Sequence, residues 1–427
     1  MLMLIPFSFI AATFRLLNCN VVKRRNFASL LQNFLVSICC VWLCSSTLAL
    51  AAKHKPKPNE TFFNPLEITK PDPLLPQFNQ ITPAQQLKLR AALDRLNQQA
   101  AAASAAGDNV GAFAIWNREL RLRRALGFGE EVEALGRVGA IAWRENQPKE
   151  VQVITQRLLE IYNYTQSQPS ADLKLLNSLG FAFQQVREPK SASAAYEQIL
   201  AKTRQQKDVA ATQATLRTLG ELHLSWFDYT KAAADYQQLL SLATANGDRL
   251  ATITYLQQLD YIYEKTKQYQ QAIAVKQQLL EIYQKDPQLS LSLPTLTLAI
   301  AKDYQALGQL QPAFDNYQQA YTSAWSLQQY VLAGDALRGL ISLYRAQGQI
   351  DAALQTSQIL LEAEQRATNI YGMMTTYDQM GQIYLKLANY SEALAAFQKG
   401  LELAQQLKYQ ETYFAGQIQQ INQRLAK

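Results

Sequence analysis

The chain has 427 residues, a formal net charge of +7, 48% hydrophobic residues, four cysteines and two histidines. All four cysteines (Cys19, Cys39, Cys40 and Cys44) lie in the first 52 residues, so the remainder forms no disulfide and offers no thiol for catalysis. Those 52 residues also hold four basic and no acidic side chains; without them the charge is 7 − 4 = +3, which gives little support to an acidic partner.

Residues 1–52 read as an export signal or a membrane anchor. Lys23, Arg24 and Arg25 form a charged start, Phe34 to Leu43 is an uncharged apolar run, and Ala49-Leu50-Ala51 is an A-x-A site that places cleavage after Ala51. The alternative is a retained anchor, with Lys23-Arg24-Arg25 on the cytoplasmic side and the rest of the chain outward. Ile38 and Leu43, which precede Cys39 and Cys44, do not suit a lipoprotein site. A second apolar stretch, residues 1–20, precedes this signal where none is needed, so translation is expected to begin at Val21 or Val22.

Residues 53–81 read as a linker. Its six prolines (Pro56, Pro58, Pro65, Pro71, Pro73 and Pro76) block helix and favour extended chain. Phe62, Phe63, Leu66 and Ile68 are apolar for a bare tether; they either pack on the region beyond residue 81 or form a short docking segment.

From residue 82 to 427 the sequence repeats itself. With Tyr384 as reference, related positions recur at Tyr344, Tyr304, Tyr263, His223, Phe183, Ala142 and Ala103, in steps of 39 to 41 residues. Nine residues after each reference stand Ala112, Val151, Ala192, Ala232, Ala272, Ala313, Ala353 and Ala393. Four before it the residues are mostly Leu, Ile or Met; thirteen after it stand Trp116, Thr155, Tyr196, Tyr236, Lys276, Tyr317, Ser357 and Phe397. Each unit carries two apolar stripes at helical spacing, joined by a polar turn such as Leu387-Ala388-Asn389-Tyr390. The small residue lets paired helices approach, and the large residues fill the space around that contact. A 40-residue hairpin cannot bury its own apolar surface, so neighbouring units must stack. Pro83, Pro148, Pro169, Pro189, Pro287, Pro294 and Pro312 all fall in turns or first helical turns, and no period-two alternation competes. The region is read as all-α: about eight helical hairpins, closed by a lone helix over Glu411–Lys427.

These residues resemble the tetratricopeptide repeat family. The last unit gives Met380-Gly381, Tyr384, Ala393, Phe397 and Gly400; the third gives Leu179-Gly180, Phe183, Ala192 and Tyr196; the fourth gives Leu219-Gly220, then His223 where an aromatic is usual, then Ala232 and Tyr236. The period is about 40 rather than 34, as in long variants of that family, so both helices are longer. The resemblance implies a right-handed solenoid that binds a protein or peptide along the concave surface of its first helices.

Nothing in the sequence supplies chemistry of its own. His54 lies in the linker, and His223 occupies an aromatic position and reads as a packed core residue. Gly127-Phe128-Gly129 lacks the strand and third glycine of a dinucleotide site. No enzyme, cofactor or metal is expected. In the basic run "WNRELRLRR", Glu119 precedes Arg123 by four residues, a favourable helix pair, and the run reads as a solvated face rather than a patch for an acidic partner.

By the resemblance, groove-lining positions are the second, fifth, ninth, twelfth and thirteenth of each unit. They hold eight basic and six acidic residues, whereas a nucleic-acid groove would be one-signed. The Lys and Asn spacing of the family's chaperone-tail clamp is not found. The expected partner-binding residues are Asn177, Arg217, Gln257, Lys302, Arg338 and Asp378. The stretches "FNPLEITKPDPLLP" and "WNRELRLRRALG" also resemble cyanobacterial or plastid members of the family, which implies the periplasm or thylakoid lumen and assistance in assembling a membrane complex such as a photosystem. Two roles are compatible with this pattern: an exported scaffold for a protein segment, or a peptide-sensing regulatory module. Membrane contact is expected only through an uncleaved N-terminal segment.

Overall fold

Helix starts in this chain are set by short polar side chains and prolines. The first helix, α1 (Pro83–Ala105), begins with a capping box: Thr82 accepts from the Gln85 amide, the Gln85 side chain accepts from the Thr82 amide, and Pro83 sits at the first helical position. Asp108, Asp172, Asp208, Asp228, Asp248 and Asn369 cap later helices through their side chains. Helix ends are set by one left-handed residue, glycine at Gly107, Gly247, Gly308 and Gly348, and a larger residue at Asn146, Arg187, Lys207 and others.

The computed structural model describes residues 64–68, 71–75, 81–168 and 172–426. The expectations for the export signal, the cleavage site, the alternative start, Phe62, Phe63, His54 and Pro169 lie outside them. Seventeen α-helices and no strand form among the described residues. They pair into hairpins: α1 with α2 (Asn109–Arg123), α3 (Phe128–Arg144) with α4 (Pro148–Gln166), α5 (Leu173–Gln185) with α6 (Pro189–Gln205), and α7 (Val209–Ser225) with α8 (Tyr229–Ala245). The series continues with α9 (Arg249–Lys265) and α10 (Tyr269–Gln284), α11 (Leu293–Ala306) and α12 (Leu310–Ser326), α13 (Tyr330–Ala346) and α14 (Ile350–Arg366), α15 (Ile370–Lys386) and α16 (Tyr390–Leu407). The lone α17 (Glu411–Leu425) packs on α16. Eight hairpins and a closing helix are the arrangement the period implied. Each second helix also packs on the first helix of the next hairpin, which makes the stack a solenoid. No helix among the described residues is long and apolar enough to cross a membrane.

The alanine column is the close-contact line. Ala112, Ala192, Ala232, Ala272, Ala313, Ala353 and Ala393 are all fully buried. A second size match spans the third, fourth and eighth hairpins, between the residue three before the reference and the residue thirteen after it. A Cβ on Gly180 would lie 2.8 Å from Tyr196, one on Gly220 3.1 Å from Tyr236, and one on Gly381 2.8 Å from Phe397. Reference-column tyrosines add polar rungs between hairpins. Gln237 donates to the Tyr263 hydroxyl at 2.6 Å and Gln277 to the Tyr304 hydroxyl at 3.1 Å.

The segment before α1 packs on the first hairpin. Leu66 joins the buried cluster that contains Phe113 and Trp116, and Leu75 joins one with Leu89, Leu93, Leu96 and Leu122. Asp72 takes a bidentate contact from Arg118, at 2.7 and 2.9 Å, and Arg121 donates to the Pro65 carbonyl. The run Trp116–Arg124 is therefore not the solvated face its composition suggested. Residues 65–68 and 71–75 contact α2, and α1 and α3 cover it elsewhere. Glu119 has no exposed surface; it meets Arg123 at 3.0 Å and Arg137 at 2.7 Å, and Arg123 goes on to Asp94 and Glu130.

Candidate functional site

The six residues expected to contact a partner fall one on each of six successive first helices. Asn177 is on α5, Arg217 on α7, Gln257 on α9, Lys302 on α11, Arg338 on α13 and Asp378 on α15. Asn177, Arg217, Gln257 and Lys302 are exposed; Arg338 and Asp378 are half-buried. Each helix presents them for the same reason: the residues one before or two after in each unit are turned into the core, as Leu216 and Leu219 are beside Arg217.

Some of these side chains already have partners. Arg338 lies 2.6 Å from Asp335 and also pairs with the buried Glu364 of α14, so its guanidinium is largely committed within the protein. Asp378 accepts from the Tyr413 hydroxyl at 2.7 Å, and Gln257 donates to the Tyr283 hydroxyl at 3.0 Å. Arg217 reaches the Tyr255 hydroxyl only at 3.4 Å, and the exposed Lys302 sits beside Asp303, whose carboxylate turns inward to Lys276 instead. Arg217 and Lys302 are thus the cations of the set most available to a ligand. Exposed aromatics flank them at the ninth position, Phe181 on α5 and Tyr261 on α9, with the Lys265 ammonium over the Tyr261 ring at 5.4 Å.

Two polar constellations beneath this surface went unassigned from sequence. In the fifth hairpin the glycine–aromatic slot is occupied by Asp260 and Lys276, 2.8 Å apart. Lys276 is 2% exposed and meets two further carboxylates, Glu264 of its own hairpin and Asp303 of α11, the latter at 2.7 Å. Burial opposes its charge, but hydrogen bonds to Asp260, Asp303 and Glu264 outweigh burial and hold the ammonium above its ordinary value. One ammonium cannot serve three carboxylates equally. Burial pushes Asp303 up to about 6 against the pull of Lys276 and raises Asp260; Glu264, less buried, is held below its ordinary value by its hydrogen bond to Lys276. The paired replacement of glycine by Asp260 and of an aromatic by Lys276 in one unit was the sequence signal for this site.

The second constellation surrounds His223. Its Nε2 lies 3.0 Å from Ser193 Oγ and its Nδ1 2.7 Å from Asp235 Oδ2. The order Ser, His, Asp matches a hydrolytic triad, but the surroundings do not. Ser193 is 5% exposed, sits inside α6 and also donates to Glu197 at 2.9 Å. A triad nucleophile needs an approach path and donors aimed at an oxyanion. Ser193 instead faces helix interior, and His223 is the packed core histidine its column position implied, with both ring nitrogens partnered.

Residues 375–407, which span α15 and α16, match the family model described as tetratricopeptide repeat. The Gly–aromatic slot of that hairpin recurs in the third and fourth hairpins, and its buried alanine in all but the second. Residues 375–407 form a tetratricopeptide repeat within a solenoid of helical hairpins. Among solved structures similar to this chain, aspartyl phosphate phosphatase F from Bacillus subtilis is 16% identical over 69% of this chain and 78% of that one, with a TM-score of 0.38. The C-terminal part of a repeat-containing protein from Cytophaga hutchinsonii is 12% identical over 63% of this chain and 95% of that one, TM-score 0.37. A putative kinesin light chain with nearly identical repeats from Podospora anserina is 18% identical over 46% of this chain and 97% of that one, TM-score 0.32. No curated protein matches the chain in sequence.

Proposed function

We propose that this solenoid is an exported, non-enzymatic scaffold that holds an extended protein segment along its first helices. The fold itself is that of a protein-interaction scaffold. One observation carries the finer reading: six successive first helices each present a polar or charged side chain outside the core, five at the fifth position of the unit and Lys302 one turn further on, and Asn177, Arg217, Gln257 and Lys302 are exposed. An extended segment offers backbone donors and acceptors at regular spacing, and such a row can meet them in register. The N-terminal charge and hydropathy pattern supports export to the periplasm or thylakoid lumen, and assembly of a membrane complex is the role that fits that place.

The test is capture of the native partner from the membrane fraction by the full chain. Replacing Arg217 and Lys302 with Ala removes two charge-assisted contacts and weakens capture at least about tenfold. Lys149→Ala and Lys190→Ala, on exposed positions of second helices, leave it unchanged. Loss with the second pair and not the first overturns the placement. N-terminal sequencing of the native protein addresses export: a chain beginning near Ala52 supports it, and one that retains Cys39 and Cys40 shows an anchor instead.

A further inference from the structure

Three departures from the repeat coincide at the joint between the fifth and sixth hairpins. The first is the ion cluster: the size-matched slot holds Asp260 and Lys276, and Lys276 reaches across the joint to Asp303 on α11, itself 3% exposed. The second is the core. The buried apolar cluster that begins at Leu66 ends at Tyr283, and a separate one begins at Leu298; between them lie the half-buried Leu289, Leu293 and Leu296 and the buried Pro294, which joins neither cluster. The third is the connector. Most hairpins are linked by three residues, such as 206–208, 246–248 and 327–329, but eight residues, Lys285–Ser292, link α10 to α11, six of them as a 3-10 turn. This connector is pinned at each end, by Asp286 to Arg249 at 2.6 Å and by the Leu291 carbonyl to Gln329 at 2.9 Å. The boundary between the seventh and eighth hairpins also has a buried acid, Glu364, but its link is three residues, 367–369. Slack, a divided core and a buried charge meet only at the fifth joint among the described residues.

We propose that this joint is a proton-gated hinge, in which a neutral Asp303 lets the sixth hairpin seat on the fifth and an ionised Asp303 loosens that seat. Every element around Asp303 contributes to the balance. α9 brings the carboxylates of Asp260 and Glu264, α10 brings Lys276, and α12 brings the Tyr317 phenol, which burial and the nearby Asp303 push up to about 12. The charged pair of α13, Asp335 and Arg338, is tied to Glu364 on α14 instead. With Asp303 neutral, Lys276 balances one of two carboxylates; with Asp303 ionised, it faces three. Opening the joint admits water and returns Asp303 toward its ordinary 3.8.

The raised value fixes the sign. A carboxyl raised in the closed form favours closure at low pH, and that contribution is lost as pH climbs through about 6. Asp260 acts in the same direction; Glu264, held low, acts oppositely only in acid below its ordinary 4.5. Between pH 5 and pH 7.5, the shift of Asp303 from 3.8 to about 6 by itself changes the closing equilibrium about tenfold, and Asp260 adds to it in the same direction.

Hydrogen exchange of the full chain, corrected for intrinsic rates, reads this equilibrium. Amides of Lys285–Ser292 and α11 lose about tenfold protection from pH 5 to pH 7.5, relative to α5–α8. Asp303→Asn, locked neutral, keeps high protection at both pH values. Glu264→Gln removes a neighbouring charge, so the transition moves to lower pH. Uniform loss across the solenoid, an unchanged response in Asp303→Asn, or an unmoved midpoint in Glu264→Gln overturns the hinge. Should Asp303→Asn fail to give a folded protein by circular dichroism, the Glu264→Gln midpoint decides alone.

Discussion

Gly381 lies so close to the ring of Phe397 that a Cβ on it would stand 2.8 Å from Cζ. The ring has no exposed surface and belongs to the cluster with Met374 and Phe414, so it has nowhere to retreat. Gly381→Ala gains about 1 kcal/mol of helix propensity and loses about 1–3 kcal/mol to overpacking. The expected net is destabilisation of the last repeat. In a Phe397→Leu background the clash is gone, and the same change becomes stabilising by about 1 kcal/mol. A double-mutant cycle by chemical denaturation checks the reversal of sign; without it, the two residues do not share one slot.

Glu119 is the buried hub between the first two hairpins, with Arg123 and Arg137 on it. Removing one member of a buried pair leaves charge uncompensated, at a cost of about 3 kcal/mol. Glu119→Gln is expected to lower the unfolding midpoint and to raise exchange in α2 and α3. Arg90→Ala breaks an exposed contact to Glu130 and costs under about 0.5 kcal/mol. Equal effects from the two changes would show that Glu119 is not a hub.

The contrast between Glu119 and Ala393 shows what the sequence disclosed. Ala393 belongs to a column repeated at nearly constant spacing, so its burial and its place at the helix contact were legible from the period alone. Glu119 was legible only as a helix pair with Arg123. Its burial goes with Arg137, in the next hairpin, a contact that carries no periodic signal. The candidate site divides in the same way. The positions of Arg217 and Lys302 on first helices follow from the repeat count, but the commitment of Arg338 to Glu364 does not, because those residues lie 26 apart on different helices. Lys276 shares a column with Tyr196, Tyr236 and Tyr317, but its three carboxylates come from two other helices and needed the fold to be seen.

Ser193 offers a direct test of the non-catalytic reading. Its hydroxyl lies between His223 Nε2 and Glu197 Oε1 and is almost wholly buried. A fluorophosphonate probe reacts with an activated serine that solvent can reach. Incubation of the folded full chain with such a probe is expected to leave Ser193 unmodified by peptide mass spectrometry. An adduct at Ser193 that vanishes in His223→Phe would make the constellation a working nucleophile and sink the scaffold-only reading.

Asp72 latches the segment before α1 onto the first hairpin, and its chemistry fixes the pH range of the latch. The Arg118 hydrogen bonds, aided by the Leu74 amide and opposed by burial, hold the Asp72 carboxyl below its ordinary 3.8. A lowered carboxyl contributes stability that is present above 3.8 and is lost as pH falls through the depressed value, so the latch holds at neutral pH and releases only in strong acid. Two changes separate its two functions. Asp72→Asn keeps an acceptor for the Leu74 amide, now 2.9 Å away, but loses the charge that Arg118 clasps. Asp72→Ala loses both. At pH 7, amides of residues 71–75 are expected to exchange faster in the order wild type, Asp72→Asn, Asp72→Ala, with at least about tenfold between the ends, since a charge-assisted bidentate pair contributes roughly 1.5–3 kcal/mol. Glu67→Ala, an exposed neighbour, serves as the control and leaves the rates unchanged. If Asp72→Asn exchanges no faster than wild type, the amide contact alone holds the segment and the arginine clasp is incidental.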